Sequence, residues 1–158
     1  MVNLGILCVG NMLMRDEGVG PRMAEELRAH CEFPDTVEVL DRGVLGMALL
    51  SDIRRFDALL VVDAVDGTGH PPGTVVRFGP SDIAPYEALH GAHDARLIDV
   101  LQAAALLGPI PETHCLGVQV LDRSPPAFSI GLTPPVEAAI PLLLAAVLDF
   151  IRGHGGME

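Results

Sequence analysis

Apolar and polar positions alternate along the chain between two regimes. Leu4 to Val9 (LGILCV) is a continuous apolar run of strand length that ends in Gly10-Asn11, and a run with both faces apolar suits a central parallel strand. After a short loop, Val19, Met23, Leu27 and Cys31 fall on one stripe of a predicted helix, with Pro21 in its first turn, where proline is tolerated. Thr36 to Leu40 (TVEVL) alternates and ends at Asp41. Leu45 to Ile53 has the length of a short helix, and Ala58 to Val62 (ALLVV) is a second buried strand that delivers Asp63.

The second half repeats the theme. Gly73 to Phe78 (GTVVRF) follows Pro71-Pro72 and is interrupted by Arg77, which predicts a strand near a sheet edge. Gly79 to His93 is a Gly/Pro/His-containing loop, long for a compact domain and therefore a candidate functional segment. Asp94 to Leu107 places Leu97, Ile98, Leu101, Ala104 and Ala105 at helical spacing. Cys115 to Leu121 (CLGVQVL) is a further strand, and Val136, Ile140, Leu143, Val147 and Ile151 form the stripe of a closing helix. Strand and helix alternate throughout, which predicts a three-layer α/β/α sandwich with a mostly parallel sheet of about five strands. No repeat or low-complexity segment divides it, so residues 1–158 are read as a single domain.

Composition narrows the function. The chain has 158 residues, 49% of them hydrophobic, and a domain of this size buries roughly 70% of its unfolded surface, enough to fold without a structural metal or disulfide. Cys8, Cys31 and Cys115 are dispersed, form no C-x-x-C pair and sit among apolar neighbours, as expected of small buried hydrophobes in a reducing compartment. The start, Met1 to Val9, lacks a basic leader, and the apolar run Leu142 to Leu148 falls short of the ~20 residues of a membrane span. A cytoplasmic protein without a membrane partner is predicted. The formal net charge of −11, with no basic cluster to offset it, repels phosphate backbones and argues against nucleic acid.

In open α/β sheets ligands bind outside the carboxyl ends of the strands. Three side chains are predicted to converge there. Asp63 directly follows an unrelieved apolar run, and a carboxylate there is costly unless paired, hydrogen-bonded or metal-bound. The competing reading is a cap for the turn through Ala64-Val65-Asp66-Gly67. Glu17 lies in Arg15-Asp16-Glu17-Gly18 before a helix whose positive end favours either acid, so it is a functional carboxylate or a complement to the dipole. His93 precedes Asp94 and a helix start, where the dipole disfavours imidazolium and keeps the ring neutral, as a metal ligand must be. His90 competes with it, and a solvated loop histidine is the plainer reading of both. Together two carboxylates and one imidazole make an open three-ligand site suited to zinc or nickel, with too few oxygens for calcium. Such a site polarises a carbonyl and activates water.

Two other chemistries fit less well. Gly18-Val19-Gly20 with Asp41 about twenty residues later mimics a dinucleotide fingerprint, but Met23 takes the third glycine position and Gly18 lies well beyond the strand end at Val9. There is no G-x-S-x-G elbow, and Ser51, Ser81, Ser124 and Ser129 have no histidine partner in sequence context.

The stretch Cys8-Val9-Gly10-Asn11-Met12-Leu13-Met14-Arg15-Asp16-Glu17-Gly18-Val19-Gly20 resembles the opening motif of the nickel-iron hydrogenase maturation endopeptidases, a G-x-G-N turn followed by two acids and G-x-G. Leu59 to Ala64 (LLVVDA) is similar to that family's second block, Pro72-Gly73-Thr74 to its following turn, His93 with Leu97, Asp99, Val100 and Leu101 to its histidine block, and Gly131-Leu132-Thr133-Pro134 with Val136-Glu137 to its C-terminal block. The blocks occur in order over nearly the whole chain.

The resemblance implies an endopeptidase that removes the C-terminal tail of the precursor of a nickel-iron hydrogenase large subunit. Glu17, Asp63 and His93 would bind a metal, and that metal would be nickel already lodged in the precursor rather than a resident ion. It implies no organic cofactor, and a monomer. Glu17 and Asp63 would form the catalytic pair if a carboxylate, rather than the metal, activates the water. A metal chaperone or sensor without peptidase activity would share the same ligands, and a related protease with another protein substrate would share the architecture. Two departures stand out: Cys8 replaces the first glycine of the opening turn, and Asp41-Arg42-Gly43-Val44 stands where the family has D-G-G-T, which would alter precursor specificity.

Overall fold

The computed structural model describes residues 2–42, 50–79, 87–88, 97–122 and 127–157. The strands are β1 (Leu4–Val9), β2 (Val37–Arg42), β3 (Ala58–Asp66), β4 (Val75–Phe78), β5 (Glu87–Ala88) and β6 (Glu112–Gln119). The helices are α1 (Val19–His30), α2 (Leu50–Ile53), α3 (Leu97–Leu107) and α4 (Pro134–Gly153), with a 3₁₀ turn at Arg15–Gly18. The main sheet has the order β2-β1-β3-β6-β4, with β5 paired to β3 outside this path. β1 is parallel to β2 and β3, and β3 is parallel to β6. β4 closes the sheet antiparallel to β6, at the edge its proline neighbours predict.

Strand burial follows position. β1 and the first eight residues of β3 are buried on both faces, as central parallel strands require. Residues of alternate parity feed two cores. Leu60, Val62 and Ala64 join Met23 and Leu27 of α1 and Leu143 and Val147 of α4 on one side of the sheet. Leu59, Val61 and Val65 join Ile53 of α2 and Val100 and Leu101 of α3 on the other. The three-layer α/β/α sandwich is thus realised, and each fully buried aliphatic side chain contributes about 1.5–3 kcal/mol toward it.

Element ends differ from the sequence reading where polar residues continue a strand. β3 runs on through Ala64 and Val65 to Asp66, so Asp63 lies within the strand and not at its end. β6 begins at Glu112, because Glu112 and His114 alternate with their neighbours along a partly exposed edge, and it stops at Gln119. The buried Gln119 closes this corner: its amide donates to Asp66 Oδ1 and the Val120 carbonyl and accepts from Thr68. The run Leu142 to Leu148 is part of a 20-residue helix, long and apolar enough to cross a bilayer by length and composition. In this fold its apolar stripe, including Val136, Leu143, Val147 and Ile151, is covered by the sheet. The predicted loop of residues 79–93 contains the two residues of β5, and its remainder after Gly79, with His90 and His93, lies outside the described residues.

Candidate functional site

The sheet order places a topological switch between β1 and β3: the chain leaves β1 toward β2 on one side, and leaves β3 toward β6 on the other. Sheets of this kind open a crevice at that point, outside the carboxyl ends of the strands. β3 sharpens it further. One edge of β3 pairs with β6 from Ala58 to Val65. The other edge pairs with β1 only as far as Cys8↔Val62, and resumes with β5 at Val65↔Ala88. Asp63 and Ala64 lie in the gap between these two neighbours.

Asp63 is 6% exposed. Its carboxylate oxygen Oδ1 accepts the Ala64 N–H at 2.8 Å, which fixes the side chain against its own strand. By strand parity it shares the face of Val61 and Val65, the α3 side of the sheet. The capping role weighed for Asp63 falls instead to Asp66, whose Oδ1 accepts the Gly67 N–H at 2.8 Å.

The loop after β1 folds back so that the turn carrying Glu17 packs against Gly10, just past the end of β1, and against β3. Gly10 has φ +147°, and a Cβ there would collide with the Glu17 carbonyl oxygen, so only glycine lets the turn fold back this tightly. The Asn11 N–H donates to that carbonyl at 3.1 Å, and the Asn11 side-chain oxygen accepts the Leu13 N–H at 3.0 Å. Gly20, in the first turn of α1, packs directly on the Val9 carbonyl, which pins the helix start to the end of β1. This contact gives the G-x-G pair a packing role, and the first strand ends nine residues before Gly18, so the dinucleotide geometry is absent. Arg15 adopts φ 53°, a left-handed conformation uncommon outside glycine, while its N–H donates to the Ser129 carbonyl.

The two acids of the motif then separate. Successive residues of a 3₁₀ turn point about 120° apart. Asp16 turns inward and is fully buried, while Glu17 remains half-exposed. The Asp16 carboxylate accepts the N–H groups of Leu121, Asp122 and Thr133 at 2.8–3.0 Å and the Thr133 hydroxyl at 2.8 Å. Sequence reasoning weighed Asp16 only as a helix-start acid, whereas it is the tie between the opening motif and the loops after β6 and before α4. The ordered recurrence of Asp16-Glu17 with Leu132-Thr133-Pro134 is the one signal that pairs them.

On the outer side of the 3₁₀ turn a cleft of about 200 Å³ is lined by Met12, Arg15, Gly18, Arg22, Ile130 and Leu132 among others. Met12 and Ile130 are 46% and 73% exposed. Arg22 at its rim pairs with Glu137 of α4 through two nitrogens at 2.8 and 2.9 Å. A larger groove of about 290 Å³, between β4 and α4, lies away from both carboxylates. Arg42, the bulky departure from the family pattern, ends β2 and directs its guanidinium to Asp52 of α2 at 3.2 Å. Cys8 is buried in β1, and burial, reinforced by Asp41, pushes its thiol up to about 12. All three cysteines are free.

Fold and site together define a doubly wound α/β domain that presents one anchored and one accessible carboxylate at its switch crevice, the equipment of a hydrolytic or ion-recognising site. The hydrogenase maturation protease family model matches residues 21–150. The hydrogenase 2 maturation protease of Escherichia coli is 36% identical over 151 residues, which cover 95% of this chain and 91% of that protein. The hydrogenase expression/formation protein HupM of Azotobacter chroococcum is 35% identical, covering 97% of this chain and 73% of that one. The solved structure of the hydrogenase maturating endopeptidase HybD from Escherichia coli superposes with a TM-score of 0.86 at 35% identity, covering 97% of this chain and 94% of that one. This chain belongs to the hydrogenase maturation protease family. It is an endopeptidase, which sets aside a metal chaperone or sensor without peptidase activity.

Proposed function

We propose that this endopeptidase removes the C-terminal tail of the precursor of a nickel-iron hydrogenase large subunit, and that Glu17, Asp63 and His93 read the nickel that the precursor already carries. The observation that supports this most directly is the position of Asp63, a nearly buried carboxylate in the gap between β1 and β5, with Glu17 folded over the end of the adjacent strand. A buried carboxylate at a crevice is stabilised by a cation, and the nickel belongs to the substrate. His93 lies outside the described residues. Ala88 of β5 stands on the same edge of β3, five residues before His93, and five residues reach at most about 17 Å, so the connection allows the imidazole to meet Asp63.

Asp63, held by the Ala64 N–H, serves as the fixed ligand. Glu17, half-exposed at the mouth, takes the proton from the attacking water as the water oxygen adds to the scissile carbonyl. Passing that proton to the departing amine releases the tail and leaves a new carboxylate on the mature subunit. The cleft with Met12, Ile130 and Leu132 beside Glu17 accepts an extended apolar stretch of the precursor next to the scissile bond. A monomer is proposed as the working form. Three free cysteines support a reducing, cytoplasmic setting.

The test is to mix purified protein with precursor prepared with and without nickel and to follow tail release by mass spectrometry. Only the nickel-loaded form is expected to be cut. Glu17→Gln, Asp63→Asn and His93→Ala are each expected to abolish cutting with the fold intact, and normal processing by all three would overturn the assignment.

A further inference from the structure

At the opposite pole of the sheet, Glu112 and His114 at the start of β6 meet His154 just past the end of α4. One ligand atom from each lies within 4.8 Å of the others. Glu112 Oε1 is 2.6 Å from His114 Nε2 and 3.6 Å from His154 Nε2. The group is remote from the crevice: Asp63 pairs with Gly117, five residues further along β6 than Glu112, or roughly 16 Å at the usual rise of a strand.

The tautomer of His154 is settled by its partner. Its Nδ1 lies 2.9 Å from the Phe150 carbonyl oxygen, which can only accept, so Nδ1 carries the hydrogen. In the neutral ring Nε2 is then a bare lone pair aimed at a carboxylate oxygen. A positive charge between them, either a bound metal ion or the proton of an imidazolium, makes that arrangement favourable. A ring nitrogen that donates to a backbone carbonyl while the other faces a site is the usual second interaction of a metal-binding histidine. Phe150 packs edge-on against His114 at 5.6 Å and lies tilted by 33° against His154 at 4.2 Å between centroids. The carboxyl end of α4 adds its partial negative charge beside His154.

We infer that Glu112, His114 and His154 form a second metal site, for a zinc-class divalent ion, with one coordination position left to water. Ligands around tetrahedral zinc stand about 3.3 Å apart. The 3.6 Å separation fits that value, and the 2.6 Å hydrogen bond lengthens when the metal replaces its proton. Glu112, with 63% of its side chain exposed, is free to swing by that amount, and the two imidazoles, 28% and 22% exposed with ligand nitrogens within 4.8 Å of each other, would rotate to close the remaining separation. The bound ion would staple the end of α4 to the start of β6.

The test uses zinc alone on the Glu17→Gln/Asp63→Asn protein, in which the crevice carboxylates are neutralised. Calorimetry is expected to show one zinc per chain at micromolar affinity, and the melting temperature is expected to rise with zinc. Adding Glu112→Gln or His154→Gln should weaken binding at least tenfold and remove the thermal shift. Cobalt should give the visible absorption of a four-coordinate nitrogen/oxygen site, absent in those variants. Glu112 lies at the surface, so its variant reports on the ligand with the fold intact. No zinc uptake at 100 µM, or uptake unchanged by both substitutions, would overturn the inference and leave a histidine-carboxylate ion pair.

Discussion

Asp16 and Thr133, 117 residues apart in sequence, are joined by the Thr133 N–H to Asp16 Oδ1 at 2.8 Å and by the Thr133 hydroxyl to Oδ2 at 2.8 Å. The same carboxylate holds the N–H groups of Leu121 and Asp122, so one buried side chain knots the turn carrying Glu17 to the two segments that close the fold. Asp16→Ala strands the buried Thr133 donors and the part-buried Leu121 and Asp122 N–H groups, a buried donor left unpaired costing about 1–3 kcal/mol. Its expected effect is a loss of about 3 kcal/mol or more, whereas Thr133→Val, which removes only the hydroxyl, should cost about 1–2 kcal/mol. Urea unfolding of the two single variants and the double variant checks this. The double variant should cost clearly less than the singles combined, because both remove the same bond.

That knot also marks where the sequence stops being legible. The long periodic elements β1, α1 and α4 were readable because each states its period within its own residues. Asp63 was findable because a carboxylate after five apolar residues is a local contradiction. The fate of Asp16 depends on partners 105 to 117 residues away, which no local pattern contains. The extension of β3 through Asp66 was hidden for a similar reason: Ala64 to Asp66 become strand by pairing with β6 and β5. Composition and spacing left Glu17, Asp63 and His93 each with an ordinary explanation, and only the order of the family blocks joined them. The cluster at Glu112, His114 and His154 left no trace in sequence, because it needs the end of one helix to meet the start of one strand.

The close approach of α1 to β1 makes Gly20 a test of how the turn carrying Glu17 is supported. A Cβ at Gly20 would overlap the Val9 carbonyl and lie 2.7 Å from the Val9 nitrogen, both unyielding backbone atoms. Gly20→Ala is therefore expected to push α1 off the strand and destabilise the protein by about 1–3 kcal/mol. Because Glu17 lies on the turn directly before that helix, processing should fall by more than the folded fraction does. Comparing the urea midpoint with the cleavage rate of the folded protein separates the two effects.

Arg42 offers a test of specificity. Its guanidinium bonds Asp52 Oδ2 through two nitrogens at 3.2 and 3.3 Å, and both side chains are partly exposed. An ion pair of this exposure contributes about 0–1 kcal/mol. Arg42→Gly, which restores the family's residue at the end of β2, should therefore change stability by no more than about 1 kcal/mol, with a small further cost for glycine in a strand. It should shift kcat/KM between two different hydrogenase precursors. Equal kcat/KM ratios for wild type and variant would remove Arg42 from the specificity surface.

Cys8 gives a pH dependence with a definite sign. Burial raises its thiol from the ordinary 9.0 to about 12, so between those values the unfolded chain has lost the proton that the folded chain keeps. A raised pKa contributes stability that is complete below pH 9 and is lost as the pH rises toward 12. The expected slope from this one group is a loss of about 1.4 kcal/mol per pH step in that window. The background is limited, because the chain contains no lysine, a single tyrosine and two further cysteines, Cys31 and Cys115. Unfolding in urea at several pH values from 8 to about 10.5 should show this decline, and Cys8→Ala, though less stable at neutral pH, should flatten it. In the native protein Cys8 should also resist thiol reagents while the half-exposed Cys31 reacts. A slope unchanged by the substitution would assign the alkaline loss to other groups.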